Sequence, residues 1–234
     1  MKISFRHGWA MLSAAVLSLT ALPLSAVSSV TSLSAAAAAA PVVENLDRGI
    51  VAIKSGNGML VSWRFLASDP TGTEFRLYRD DQLLMTSKGD EATCFYDESG
   101  SASARYRVDS LVNGTVQTTS TCSLISGTDY FQIPMDVPTA SDCTYSPNDC
   151  SVGDVDGDGV YELFVKWDPS NSKDNSQKGK TGNVYIDCYK LTGEKLWRID
   201  MGKNIRAGAH YTQFMVFDLD GDGKAEVVMK TSDG

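Results

Sequence analysis

Asp154-Val155-Asp156-Gly157-Asp158-Gly159-Val160-Tyr161-Glu162 returns 64 residues later as Asp218-Leu219-Asp220-Gly221-Asp222-Gly223-Lys224-Ala225-Glu226. Each copy leads straight into a short apolar run, Leu163–Trp167 after the first and Val227–Met229 after the second. Aspartates at alternate positions of a glycine-rich coil present hard oxygen donors, the chemistry calcium takes at about 2.3–2.6 Å with six to eight ligands. In the first copy the candidate donors are Asp154, Asp156, Asp158, the Val160 carbonyl and Glu162. In the second they are Asp218, Asp220, Asp222, the Lys224 carbonyl and Glu226. Three carboxylates in so short a span repel one another unless a cation lies among them. These are not helix-loop-helix hands, which need a bidentate Glu at position twelve; Val165 and Met229 stand there, inside predicted strands. The repeat therefore predicts an all-β scaffold in which Ca2+-binding turns launch strands, and in which the ion stabilises the fold rather than performing chemistry.

Working outward, residues 41–129 read as a β-sandwich-like domain. Met59–Leu66 alternates Val61, Trp63 and Phe65 against Leu60, Ser62, Arg64 and Leu66, and Phe75–Arg79 and Tyr106–Val112 are further strands. Gly56-Asn57-Gly58, Asp69-Pro70-Thr71-Gly72 and Asn113-Gly114 supply turns. Many short strands with punctuating turns indicate a sandwich. Residues 130–234 open with a polar loop, Thr139–Cys150, then strands at Glu162–Trp167, Asn183–Leu191, Lys195–Ile199, Thr212–Asp218 and Val227–Lys230. Thr192-Gly193 is the turn of a hairpin. Repeated strand clusters of this kind predict the first blades of a β-propeller. Asp168–Thr181 is too polar for a core and reads as a surface loop or the lining of a sugar-binding face.

The chain is acidic, with 29 Asp and Glu against 21 Lys and Arg. No Lys/Arg stripe offers a phosphate-binding surface, which argues against nucleic acid as a partner. Residues 1–40 read as a signal peptide and small-residue linker: Lys2 and Arg6, an interrupted apolar run from Trp9 to Leu24, then Ala35–Ala40. The expected location is extracellular, with no stable membrane insertion once the leader is removed. Export permits disulfides; Cys143 with Cys150, and Cys94 with Cys122, are the pairings that spacing allows, and the odd count of five leaves a thiol over.

Five side chains are candidates for contact with substrate: Asn148, Asp149, Lys166, Arg206 and His210. Arg206 offers a bidentate fork for a sugar carboxylate, with pairing to one of the many acids as its ordinary alternative. His210 is the one histidine after the leader and is either a base, a ligand or a packed imidazole. Trp167 and Trp197 are core residues before they are sugar platforms.

Several stretches carry a resemblance: Asn148-Asp-Cys-Ser-Val-Gly-Asp-Val-Asp-Gly-Asp-Gly, Lys166-Trp-Asp-Pro-Ser-Asn-Ser-Lys-Asp-Asn-Ser, Leu196-Trp-Arg-Ile-Asp and Gly202-Lys-Asn-Ile-Arg-Ala-Gly-Ala-His-Tyr-Thr-Gln-Phe, with the Glu44-Asn-Leu-Asp-Arg-Gly start. The chain resembles the secreted bacterial rhamnogalacturonan lyases of polysaccharide lyase family 11 over nearly everything after the leader. The resemblance implies an eight-bladed, calcium-bearing propeller behind an N-terminal β domain, a monomer at full length. It implies β-elimination at the rhamnose–galacturonate bond of the rhamnogalacturonan I backbone of pectin. It also implies that most of the ring and the catalytic base lie beyond residue 234, so that this chain is a fragment and inert alone. The other class that calcium loops allow is a non-catalytic carbohydrate-binding or adhesion module.

Overall fold

The computed structural model describes residues 45–89, 91–208 and 210–232; the predicted leader lies outside them. Among the described residues every regular element is a strand, and no helix is long and apolar enough to cross a membrane. The first half contains β1 (Val51–Ser55), β2 (Gly58–Ser62), β3 (Glu74–Arg79), β4 (Gln82–Lys88), β5 (Cys94–Asp97), β6 (Tyr106–Val112), β7 (Thr115–Thr121) and β8 (Leu124–Ser126). They form two four-stranded sheets, β5-β2-β1-β8 and β4-β3-β6-β7. One core joins them: Ala52, Met59 and Val61 from the first sheet meet Phe75, Leu77, Tyr106 and Val108 from the second, all nearly inaccessible to solvent. The larger of these, such as Met59, Val61, Phe75 and Leu77, contribute roughly 1.5–3 kcal/mol each by leaving water, and together they fix the alternation read from Phe75–Arg79.

Sequence patterning left β4, β5, β7 and β8 unmarked. β3 turns into β4 at Asp80-Asp81, both with positive φ (47° and 66°). Aspartate visits this region more readily than most residues, and Asp80 is further held by a long-range bond, its Oδ1 accepting from Arg105 N–H at 3.1 Å. β7 is a polar edge strand, Thr-Val-Gln-Thr-Thr-Ser-Thr, with almost every residue exposed, so no apolar period marks it. Met59–Leu66 stops being a ladder strand at Ser62, because Trp63 N–H turns to the Thr93 carbonyl and Arg64 N–H to that of Arg48.

The second half is β9 (Tyr145–Gly153), β10 (Glu162–Pro169), β11 (Tyr185–Tyr189) and β12 (Lys195–Asp200), one antiparallel sheet in chain order, then the hairpin β13 (Phe214–Phe217) and β14 (Glu226–Met229). The hairpin predicted at Thr192-Gly193 joins β11 to β12, with Lys190 N–H bonded to the Glu194 carbonyl at 2.8 Å. The polar loop expected over Thr139–Cys150 is a loop only to Thr144; from Tyr145 it is strand, because β10 offers a full ladder to its backbone. The sheet is covered on both faces. Val165, Trp167 and Tyr189 pack on one side, and Val184 and Ile186 meet Met201, Phe214 and Met229 on the other.

All five thiols are free, so neither expected disulfide forms. Cys94 lies on edge strand β5, and Cys122 bonds the Ile50 carbonyl beside β1, two strands away. That is about 10 Å at one strand spacing each, beyond the roughly 7 Å a disulfide spans. Cys143 precedes the start of β9 and Cys150 lies far along it, opposite Val165, and an extended strand holds them apart.

Candidate functional site

The two acidic turns adopt one hydrogen-bond pattern. In the first, Asp154 accepts from Gly157 N–H at 2.7 Å and Gly159 N–H at 2.8 Å, and Glu162 accepts from Val155 N–H at 2.9 Å. In the second, Asp218 accepts from Gly221 N–H at 2.7 Å and Gly223 N–H at 3.0 Å, and Glu226 accepts from Leu219 N–H at 2.8 Å. The four glycines sit at φ of 80–90°, a region costly for any residue with a Cβ. Glu162 and Glu226 are the first residues of β10 and β14, so each turn delivers its last carboxylate on the strand it launches.

Carboxylate oxygens of Asp154, Asp156 and Glu162 lie within 4.8 Å of one another, as do those of Asp218, Asp220 and Glu226. Asp154 and Glu162 are only 1% and 2% exposed. Burial, reinforced by the charges of Asp156, Asp158 and Asp154, pushes the Glu162 carboxyl above its ordinary range. An all-oxygen, mutually repelling donor set with its middle aspartate open to solvent fits a hard divalent cation. Asp158 and Asp222 stand outside the converging trios; their Oδ1 atoms accept from Val160 N–H at 2.8 Å and Lys224 N–H at 2.9 Å. The turns touch: Ala225 N–H donates to the Asp154 carbonyl at 2.6 Å. The first is also tied to the N-terminal segment, where Asp47 N–H donates to the Gly159 carbonyl at 2.9 Å and Arg64 stacks on Tyr161.

The substrate candidates fall around one region of the second half. Val165 faces Cys150 and Trp167 faces Pro147, so Asn148 and Asp149 together oppose Lys166. This β-bulge re-aims a side chain, as bulges beside functional sites do. It brings Asp149 onto the Lys166 ammonium, which is buried and also donates to the Tyr211 carbonyl at 3.2 Å. Asn148 is exposed, its side-chain oxygen accepting from Asp149 N–H at 2.7 Å. His210 is exposed and lines an open cavity of about 540 Å³ with Asn175, Arg206, Tyr211, Gln213 and Lys230.

Arg206 lines that cavity, and its guanidinium is engaged with backbone carbonyls. Its guanidinium donates to the carbonyls of Lys173 at 3.3 Å, Asp174 at 3.0 Å, Gly179 at 2.9 Å and, closer still, Gln177. It holds the 170–181 loop in shape from below. Four of its five N–H donors are thereby used. The same loop is fastened by Tyr211, whose hydroxyl donates to Asp174 at 2.8 Å and accepts from Asn175 N–H at 2.5 Å; that bond holds the Asp174 carboxyl below its usual range.

Trp167 and Trp197 are packed, as their strand positions predicted. Sequence reading missed Asp187. It is fully buried and accepts from Trp167 Nε1 at 2.7 Å, Tyr189 OH at 2.6 Å and both Arg198 Nε and a terminal nitrogen at 2.7 Å. The only available signal was an aspartate at an inward position of an apolar strand, between Ile186 and Cys188. Lys190, which sits on the first acidic turn 2.7 Å from Asp156, left no local signal at all.

Two family descriptions match this chain: "Rhamnogalacturonan I lyases beta-sheet domain" over residues 41–124 and "Rhamnogalacturonan lyase family 11, C-terminal domain" over residues 130–234. Rhamnogalacturonan endolyase YesW of Bacillus subtilis is 56% identical over 202 residues, covering 84% of this chain and 32% of that protein. Rhamnogalacturonan exolyase YesX of the same organism is 50% identical, covering 82% and 32%. The crystal structure of YesW superposes with a TM-score of 0.75 over 84% of this chain and 34% of that one, and the Bacillus licheniformis rhamnogalacturonan lyase with 0.71 over 83% and 34%. The chain thus spans about a third of the length of the curated relatives it matches. With both halves matched by the family's own domains and the strand framework shared with its solved structures, the chain belongs to rhamnogalacturonan lyase family 11.

Proposed function

We propose that the protein takes part in the β-elimination cleavage of the rhamnose–galacturonate linkage in rhamnogalacturonan I, outside the cell. In this reading residues 1–40 are an export leader and linker. Residues 41–129 are a β-sandwich-like domain, and residues 130–234 open the propeller-type catalytic domain, with β9–β12 as one blade and β13–β14 beginning the next. Covered faces on both sides of the β9–β12 sheet support the blade assignment. The observation that carries the functional reading is the cavity of His210 and Lys230, whose Tyr211 carbonyl accepts from the Lys166 of the Lys166–Asp149 pair, in a chain from a rhamnogalacturonan lyase family.

Calcium is the proposed ion of both acidic turns. Asp154, Asp156 and Glu162 would hold one, and Asp218, Asp220 and Glu226 the other, with Asp158, Asp222 and the Val160 and Lys224 carbonyls as further oxygen donors. Bound there it neutralises the carboxylates and locks the turns that launch β10 and β14. The chemistry falls to other groups. Elimination removes the proton at C5 of galacturonate and places charge on the adjacent carboxylate, while the bond to O4 breaks to leave an unsaturated uronate. Cationic side chains lining the cavity stabilise that developing charge. Lys230 and His210 face the open side and are free to meet a uronate carboxylate. Lys166, paired with Asp149, lies behind Tyr211 of that lining, and Asn148 is exposed beside Asp149. Arg206 shapes the loop. The general base is left unassigned.

Rhamnogalacturonan I oligosaccharides titrated into the calcium-loaded chain test the reading. Saturable binding that H210A and K230A weaken about tenfold is the expected result. The unsaturated product is followed by its absorbance in the same samples. Binding without turnover accords with a base outside these residues, whereas turnover places the base among them. Absence of any binding contradicts the proposal.

A further inference from the structure

Thr212, two residues after His210, has a φ of 57°. Glycine, and occasionally asparagine or aspartate, enters this left-handed region routinely. A β-branched residue found there is an outlier that persists only where its surroundings hold it. The φ of Thr212 depends on the plane of the peptide that joins it to Tyr211. Turning that one plane, with ψ of Tyr211 and φ of Thr212 changing in opposite senses, would release Thr212 and leave the flanking chain in place. The Tyr211 carbonyl resists this turn, because it accepts from Lys166 Nζ at 3.2 Å. Lys166 is itself fixed: its side chain is 2% exposed and its ammonium is paired with Asp149. The rest of Tyr211 is anchored as well. Its N–H donates to the Gly208 carbonyl at 3.1 Å, and its hydroxyl bonds Asp174 and Asn175. Its ring lies so close to Gly208 that a Cβ there would stand 2.4 Å from a ring carbon. The peptide is trans, so its C=O and N–H point in opposite directions. With the carbonyl aimed inward at Lys166, the Thr212 N–H is directed the other way, toward the open side where Tyr211 and Thr212 line the cavity of His210 and Lys230.

We propose that Lys166 is a positioning residue: its ammonium holds the Tyr211–Thr212 peptide in the strained orientation that presents the Thr212 N–H to a uronate carboxylate in the cavity. The inference rests on the reading of that cavity as uronate-binding and adds to it a backbone donor. A donor fixed in advance costs no reorganisation as charge develops on the group it holds, and elimination builds charge on that same carboxylate. The flipped peptide would turn a carbonyl oxygen toward the carboxylate and repel it. Strain of this kind disfavours a backbone conformation roughly ten- to a hundredfold. Without the ammonium the presenting orientation becomes the minor one, and apparent affinity falls by the fraction of chains that still adopt it.

The test is NMR on the calcium-loaded chain and its K166M, K166M/T212G and K166M/T212A variants, titrated with rhamnogalacturonan I oligosaccharides and each followed by thermal melting to establish folding. The amide-to-Hα cross-peak within residue 212, strong where φ is positive, reports the peptide orientation. The shift of the residue 212 amide reports contact with the oligosaccharide. The wild-type chain is expected to show the strong cross-peak and an amide shift that saturates. K166M is expected to lose the cross-peak and to bind about tenfold more weakly or worse. K166M/T212G should return to within about threefold of wild type, since glycine enters the left-handed region without steric cost, and K166M/T212A should not. A purely structural lysine would leave K166M/T212G as weak as K166M. The wild-type amide shift needs no variant and decides the claim if K166M does not fold. An undiminished cross-peak in K166M, a wild-type amide that stays in place at saturation, or no recovery in K166M/T212G would overturn the positioning role while leaving the cavity as a uronate site. A wild-type chain that binds no oligosaccharide would remove both.

Discussion

Lys166 and Asp149 form an asymmetric pair, and the asymmetry has consequences. The lysine side chain is 2% exposed and the aspartate 58%. Removing the aspartate strands a buried ammonium with only the Tyr211 carbonyl, whereas removing the lysine leaves a carboxylate already in water. D149A should therefore cost about 2–3 kcal/mol in urea unfolding, and K166M less than about 1 kcal/mol; equal losses would mean that the ammonium is not desolvated as the structure has it. The thiols give a second residue-level check. Burial pushes the Cys188 thiol up to about 12 and Cys122 up to about 11. The thiolate is the nucleophile, so at pH 8 both stay protonated and inert in the folded chain. A disulfide reagent should titrate the exposed Cys94 and Cys150 first and reach Cys188 only in denaturant; rapid labelling of Cys188 would contradict its place in the sheet. At this scale the convergence of Asp154, Asp156 and Glu162, and of Asp218, Asp220 and Glu226, was legible from their spacing. The role of Arg206 was not, since its partners are backbone carbonyls 27–33 residues away in sequence that no side-chain pattern announces.

Elements show the same division. β10 was legible because Leu163, Phe164, Val165 and Trp167 follow the first acidic turn as a mostly apolar run, and Phe75–Arg79 because its alternation matches a half-buried strand. β9 was hidden by its polarity. As the outer strand of its sheet it keeps Ser146 to Cys150 exposed, and its pairing is dictated by β10 rather than by its own residues. The buried Asp187 ties β11 to β10 through Trp167 and to β12 through Arg198. D187A leaves Trp167 Nε1 without an acceptor and Arg198 with only Asp136, and should lower unfolding free energy by about 3–5 kcal/mol, measured in urea; a loss under about 1 kcal/mol would show that the network is solvated. The 170–181 loop makes a complementary case. R206A removes four carbonyl contacts at a half-buried site, and should speed amide exchange at residues 173–179 by at least roughly tenfold while costing only about 1–2 kcal/mol overall. Unchanged exchange there would deny the clamp.

For the whole molecule, the acidic turns are where the parts meet. The first turn bonds the N-terminal segment through Asp47 and the second turn through Ala225, so a cation ordering it acts on both halves. Glu162 is expected to change sign with metal: E162Q should raise the melting temperature in chelator, where its buried charge is a burden, and lower it in calcium, where that charge is a ligand. The same sign in both conditions would contradict its placement. The all-β class and the repeated turns were readable from the sequence because local chemistry dictates them. The packing of one four-stranded sheet of the N-terminal half on the other was readable only in outline, since long-range pairing such as that of β1 with β8 leaves no local trace. The most direct test of the central claim is a calcium titration of the chelator-stripped chain with parallel melting curves. The account predicts uptake of two ions and a rise in melting temperature on the order of 10 °C at saturating calcium, from the stabilisation that binding to the folded state alone confers. No uptake, with superimposable melting curves in calcium and chelator, would contradict it.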